Sequence, residues 1–325
     1  MMSIRWRAFG AVIAGAVLLA TTAPAQTPAP PAPARTQQTA PAQQEPAPVF
    51  RAGADAVTVD ASVMRDKKAV PGLKPADFEI LDNGVAQEVS DIAYERLPID
   101  VTVLLDVSAS VTGRVLDELR RALHQLRADL GPNDRLRLIT FNMGIRRLVD
   151  FGQPTANLDQ ALASLRATGS SAIFDSLAVA LSAAAPNGRR QLIVLFSDGQ
   201  DSSSISDADT LLDVAKRSTP TVGVILSVPS LDRPASLLRT ASPLGSASVG
   251  VLSERLASET GGFVTAVEQG ENLTSKFRRV LDQFRSSYVL YFTPQGVERG
   301  GAHTLEVRVK RQGMEVRSRR GYVWR

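Results

Sequence analysis

Near both ends of the chain, apolar and polar residues alternate with a period of two, while the middle shows continuous apolar runs separated by helical spacing. Val57, Val59, Ala61 and Val63 mark a strand within 56–63, and further strand-like stretches follow at 78–81 and 89–94. Pro71-Gly72 and Asp82-Asn83-Gly84 punctuate them. An Asn-Gly step suits the hairpin turns whose central residues need φ > 0. From 99 to 286 strands alternate with helices, with strand candidates at 99–106, 135–141, 147–151, 191–197, 221–228 and 263–267. Runs such as Leu192-Ile193-Val194-Leu195-Phe196 suit strands buried on both faces. Val111, Val115, Leu119, Leu123 and Leu126 form one helical apolar face; Leu273, Phe277, Val280, Leu281 and Phe284 form another. The alternation returns at 288–292, 304–310 and 314–322.

This order predicts an α/β fold: a doubly wound, mostly parallel sheet, with a small β-sandwich built from the N- and C-terminal segments. The expected organisation is a signal peptide at 1–25, a Pro/Ala-rich linker at 26–48, a β module at 49–97, the α/β domain at 98–286, and strands at 287–325 that pair with 49–97. Residues 229–250 are polar, Pro-interrupted and without steady period, and are expected to be a mobile insertion beside a strand end.

Composition narrows the chemistry. The chain has 37 Lys and Arg against 33 Asp and Glu, too even a balance to build a broad field for nucleic acid. With no cysteine there is no disulfide framework, thiolate metal site or thiol nucleophile. Its only histidines are His124, in a helical pattern, and His303, in a turn-like Gly-Gly-Ala-His stretch, so histidine-based catalysis or zinc binding is disfavoured. Arg5 and Arg7, the apolar run 8–20 and Ala23-Pro24-Ala25 read as a secretory signal, which implies export to a bacterial envelope compartment such as the periplasm. Membrane contact would come only through an uncleaved N-terminus, whose apolar run is shorter than the ~20 residues a span needs. The basic stretch 310–320 alternates with Met314 and Val316 and reads as a solvated strand face.

Asp106-Val107-Ser108-Ala109-Ser110 follows the apolar strand 99–105, at the carboxyl end where ligands of open α/β sheets bind. Three oxygen-bearing side chains at alternate positions of one loop suit a hard divalent cation. Phe196-Ser197-Asp198-Gly199 places a second carboxylate at the end of another apolar strand. Were the two strands neighbours, a cation would relieve the repulsion between Asp106 and Asp198. Ser170-Ser171-Ala172 adds hydroxyls at the start of a helix. The plainer reading of an aspartate followed by serines is a helix cap, and that reading is preferred for the nearby Asp175 and Asp201.

In order and spacing these three motifs resemble the metal-ion-dependent adhesion site of von Willebrand factor type A domains, over about residues 99–286. Pro75-Ala76-Asp77-Phe78 and Arg319-Arg320-Gly321-Tyr322 resemble flanking segments of exported bacterial proteins related to that family. The resemblance implies that Ser108 and Ser110 bind a metal directly and that Asp106 and Asp198 act through water. In the family the middle ligand is a threonine in Gly-Gly-Thr-Ala; here the run is Gly169-Ser170-Ser171-Ala172, so Ser171 aligns and Thr168 is the substitute.

The implied cofactor is Mg²⁺ or Mn²⁺, with Ca²⁺ less suited. Three hydroxyls leave an octahedral shell incomplete, so a partner's carboxylate can enter. The expected function is a non-enzymatic adhesion-type module that recognises a Glu or Asp on a partner protein. The alternatives are a metal-assisted hydrolase and an envelope scaffold with a vestigial site.

Overall fold

The computed structural model describes residues 56–95, 97–183, 188–227, 249–267 and 271–324. The expected signal peptide and linker lie outside them, as does nearly all of the insertion expected at 229–250. The strands before the central domain are β1 (Val57–Arg65), β2 (Lys68–Ala69), β3 (Phe78–Asp82), β4 (Val85–Gln87) and β5 (Asp91–Tyr94). Asn83 and Gly84, at φ 49° and 82°, make the tight turn from β3 to β4.

The central sheet runs β11-β10-β9-β6-β7-β8, from β6 (Ile99–Asp106), β7 (Arg135–Phe141), β8 (Ile145–Val149), β9 (Arg190–Ser197), β10 (Thr221–Ser227) and β11 (Phe263–Val267). All pairs are parallel except β7 with β8. The edge strand expected at 147–151 therefore sits two residues earlier, next to a register shift at Leu138/Ile139. Helices α1 (Arg114–Asp129), α2 (Thr155–Ser164) and α6 (Leu273–Arg285) share one core with Val101, Val103 and Leu105. On the other face α3 (Ile173–Ser182), α4 (Ala208–Arg217) and α5 (Val249–Thr260) pack with Leu104, Ile193 and Leu195. Neighbouring residues of β6 thus enter opposite cores, as double winding requires.

After α6 the chain forms β12 (Tyr288–Phe292), β13 (Gly301–Val309), β14 (Glu315–Ser318) and β15 (Gly321–Trp324). The sheet β14-β1-β12-β5 packs on the sheet β15-β13-β3-β4 around Val59, Ile80, Tyr288, Leu290 and Leu305. The fold class is the expected one, a doubly wound α/β domain with a sandwich drawn from both ends of the chain.

Four local expectations need correction. The strand expected at 314–322 is two strands in different sheets, β14 and β15. The break lies at Arg319, which forms an isolated bridge to Thr260 and whose guanidinium donates to the carbonyls of Ser218, Thr219 and Gly321. Arg319 is only 7% exposed, so it is not on a solvated face; burial pushes its guanidinium pKa down, with Asp60 opposing the shift. His303 lies inside β13 rather than in a turn, and is buried. Helix α1 begins at Arg114, because Gly113 at φ 54° breaks the helical path and leaves Val111 in the preceding loop.

Candidate metal centre

β6 and β9 are adjacent and parallel, with Leu105 opposite Phe196, so Asp106 and Ser197-Asp198 emerge at the same end of the sheet. Asp106 is 0% exposed. Its Oδ1 accepts the Ser108 amide at 2.9 Å, and the Ser171 hydroxyl donates to Oδ1 and Oδ2 at 3.2 and 3.0 Å. The Ser197 hydroxyl donates to Oδ2 at 2.7 Å and accepts the Gly199 amide at 3.0 Å. Three loops therefore meet on one buried carboxylate, which such donors must satisfy if it is to be tolerated away from water.

Ser108 and Ser110 place their hydroxyl oxygens 3.0 Å apart. Adjacent oxygens of an octahedral shell with metal–oxygen distances of 2.0–2.1 Å are also about 2.9 Å apart, so this pair fits two neighbouring positions around Mg²⁺. The half-buried Asp198 accepts the Gln200 amide at 3.0 Å through Oδ1. The donor set is hard oxygen, dominated by hydroxyls. Among the described residues no group of three or more His, Cys, Asp or Glu side chains could hold a metal ion.

Backbone contacts hold the middle loop in place. Ala109 N donates to Gly169 O at 2.9 Å, Thr168 N to Val107 O at 2.8 Å, and Ser202 N and Ser203 N to Ser171 O at 2.9 and 3.0 Å. Ser171 carries the hydroxyl that reaches Asp106; Thr168 is exposed and contributes backbone groups, its carbonyl accepting the Asn142 amide at 2.9 Å. Asp201 accepts Phe174 N at 3.0 Å and the Ser204 hydroxyl at 2.6 Å. Asp175 accepts Ile205 N and Ser206 N at 2.8 and 2.9 Å. Burial alone would raise the Asp175 pKa, but these donors outweigh it and hold the carboxyl below its usual range. Asp201 thus caps the start of α3, and Asp175 sits in the first turn of that helix, where it also holds the loop after β9.

Sequence reasoning missed two things. Ser197, part of the quoted Phe-Ser-Asp-Gly run, is a donor to Asp106; its place one residue before the strand-end aspartate was the available signal. The second is a buried cluster in the sandwich: Asp82 lies 2.8 Å from His303 Nδ1 and accepts the Tyr322 hydroxyl at 2.7 Å. Burial, and then the bond to Asp82, raise the Tyr322 pKa. His303 and Tyr322 line a cavity of about 1080 Å³ between α5, β11 and β13–β15, and none of the candidate metal residues lines it.

Residues 101–200 match the von Willebrand factor type A domain family. None of the curated proteins matches the sequence. Solved structures with similar folds include an aerotolerance-related membrane protein from Bacteroides fragilis carrying multiple mutations to serines, at 17% identity over 57% of this chain and 98% of that one, TM-score 0.43. A von Willebrand factor type A protein from Catenulispora acidiphila is 12% identical over 84% of this chain and 75% of that one, TM-score 0.45. Proximal thread matrix protein 1 from the mussel byssus, with a zinc-occupied MIDAS motif, is 13% identical over 61% of this chain and 48% of that one, TM-score 0.47.

Proposed function

The protein carries a von Willebrand factor type A domain, and from that premise we propose that it is an exported binding module, not an enzyme, that grips a carboxylate of a partner protein through a divalent cation. Ser108, Ser110 and Ser171 would hold the cation, with Asp106 and Asp198 beside them. The observation that carries this reading is the Ser108–Ser110 hydroxyl pair, 3.0 Å apart above a buried Asp106. When bound, the cation supplies an electron-poor position that a Glu or Asp oxygen can fill.

The chain's own part is to hold oxygens still. Asp106 takes donors from Ser171 and Ser197, which fixes the three loops relative to one another before any ligand arrives. Mg²⁺ and Mn²⁺ are the proposed ions, because hydroxyls and water suit an octahedral shell better than the larger shell of Ca²⁺. Binding is favoured over hydrolysis because Asp175 and Asp201, the other acids nearby, are engaged by amides and a serine hydroxyl. Export is supported by the charged, apolar and small-residue pattern of the first 25 residues.

The test is titration of the full chain with Mn²⁺, followed by electron paramagnetic resonance, with Mg²⁺ as competitor. Wild type should bind one ion that Mg²⁺ displaces, and Ser108→Ala/Ser110→Ala should lose it. Equal Mn²⁺ binding by wild type and that variant would end the proposal.

A further inference from the structure

We infer that the rim of this site is built for an acidic residue flanked on both sides by apolar side chains. The inference rests on the cation reading above and adds the chemistry of the partner. Among the described residues, the large apolar side chains standing exposed are Val85 at 38%, Met143 at 70%, Val179 at 51% and Ile205 at 98%. The two most exposed, Met143 and Ile205, lie on the two loops that border Ser171.

Met143 is the tip of the turn from β7 to β8. Asn142 N donates to Gly144 O at 3.1 Å and Gly144 N to Asn142 Oδ1 at 3.0 Å, which closes the turn beneath it. The same Asn142 ties the turn to the middle loop, donating to Thr168 O and accepting Ala172 N, each at 2.9 Å. A Cβ added at Gly169 would lie 3.6 Å from Met143 Cγ, so the methionine sits against the loop that carries Ser171.

Ile205 is on the loop after β9. Asp175 accepts its amide and the next one, while two amides upstream bond to Ser171 O. Its backbone is pinned and its side chain is left in water. β7 and β9 lie on opposite sides of β6, the strand that delivers Asp106, Ser108 and Ser110. The two apolar tips therefore follow strands that flank β6, and their turns bracket the loop that carries Ser171.

A single exposed apolar residue is ordinary. Two held on hydrogen-bonded turns that both border the loop carrying Ser171 form an incomplete rim that a partner can close. Closing it removes water from around the metal–carboxylate link, which strengthens that link, and buries apolar surface. A free sugar acid or phosphate would leave both tips wet; a protein segment reading apolar, acidic, apolar would cover them.

The test uses biotinylated peptides on a streptavidin surface: Gly-Leu-Glu-Leu-Gly, Gly-Ser-Glu-Ser-Gly and Gly-Leu-Gln-Leu-Gly. The full chain is passed over them in Mg²⁺ and again in chelator. Wild type should be held about tenfold or more better on Leu-Glu-Leu than on Ser-Glu-Ser, and only with Mg²⁺. Met143→Ser/Ile205→Ser should lose that preference while its Mn²⁺ affinity and urea midpoint stay at wild-type values. Equal retention on Leu-Glu-Leu and Ser-Glu-Ser, retention on neither, or a preference that survives the double substitution overturns the inference. So does chelator-resistant retention that is equal on Leu-Gln-Leu, which is apolar adhesion alone. Mn²⁺ binding is measured separately, so a rim that fails on a site that loads is distinguished from a site that never loads.

Discussion

Replacing Ser197 by alanine tests whether Asp106 is positioned by its neighbours. The Ser197 hydroxyl is fully buried, donates to Asp106 Oδ2 at 2.7 Å and accepts the Gly199 amide at 3.0 Å. Alanine fits the space, so the change removes interactions without adding a clash. A hydrogen bond to a carboxylate contributes about 1.5–3 kcal/mol, and the half-buried Gly199 amide loses its acceptor as well, which together come to about 2–4 kcal/mol. Ser176 is the matched control: it too is 0% exposed, but its hydroxyl donates only to the Ile173 carbonyl at 2.8 Å. Ser176→Ala should therefore cost about 0.5–1.5 kcal/mol. Because Ser197 orients Asp106, which in turn bonds Ser171 and the Ser108 amide, its loss should weaken Mn²⁺ binding, by up to the roughly 10–100-fold that losing an outer-shell partner costs. Urea unfolding without metal reads the first effect, and Mn²⁺ titration of both variants reads the second. If Ser197→Ala loses no more stability than Ser176→Ala, or binds Mn²⁺ like wild type, the converging-loop account of the site is wrong.

Two further outcomes follow from the packing and the charges. Gly261 has φ +74° and an added Cβ would lie 2.6 Å from Arg319 N, whereas Gly313 has φ +73° with nothing within 4 Å. Gly313→Ala should therefore cost only the left-handed backbone penalty of about 1–2 kcal/mol, and Gly261→Ala about 1–3 kcal/mol more in thermal or urea unfolding; equal losses would refute the close approach. The amides of Ile99 and Gly131 and the Arg285 guanidinium outweigh burial and hold the Asp134 pKa below the usual carboxylate range. A depressed folded pKa stabilises above the ordinary value of ~3.9 and is lost as pH falls through the folded value, so Asp134→Asn should cost most at pH 7 and progressively less below about pH 4. A cost unchanged from neutral to strongly acidic pH would contradict that assignment.

Where one physical pattern dominated, the sequence was readable. The β6 and β9 runs are apolar because both faces of those strands are covered, and the same runs located Asp106 and Asp198 at their carboxyl ends. Asn83-Gly84 gave away its turn, because few other residue pairs adopt φ > 0 twice in succession. Helices α2, α4 and α5 were not named from the sequence. Helices α2 and α5 are rich in small and polar residues such as Ala, Ser, Thr and Gly, which blur the apolar stripe. Helix α4 is short, and its start shows most clearly in the Asp207 side chain accepting the Thr210 amide. The break between β14 and β15 depends on Arg319 meeting carbonyls a hundred residues away, a contact that no local window contains. The Asp82–His303–Tyr322 cluster was hidden for the same reason, since its members lie on three separate strands. That the Ser171 hydroxyl turns to Asp106 while Thr168 stays exposed depends on the loop's path, which no local pattern shows.

The sandwich register carries an engineering consequence. Tyr94, the last residue of β5, is the ladder partner of Tyr288, the first of β12. Topologically, then, the whole α/β domain occupies the place of the tight loop that would join two neighbouring strands, and its ends leave side by side. The insert has the topology of a cassette, yet it is stitched to its host: Arg319 donates to Ser218 and Thr219 and bridges Thr260, and Arg190 donates to Asp60, so cutting it out would strip a buried guanidinium of two acceptors.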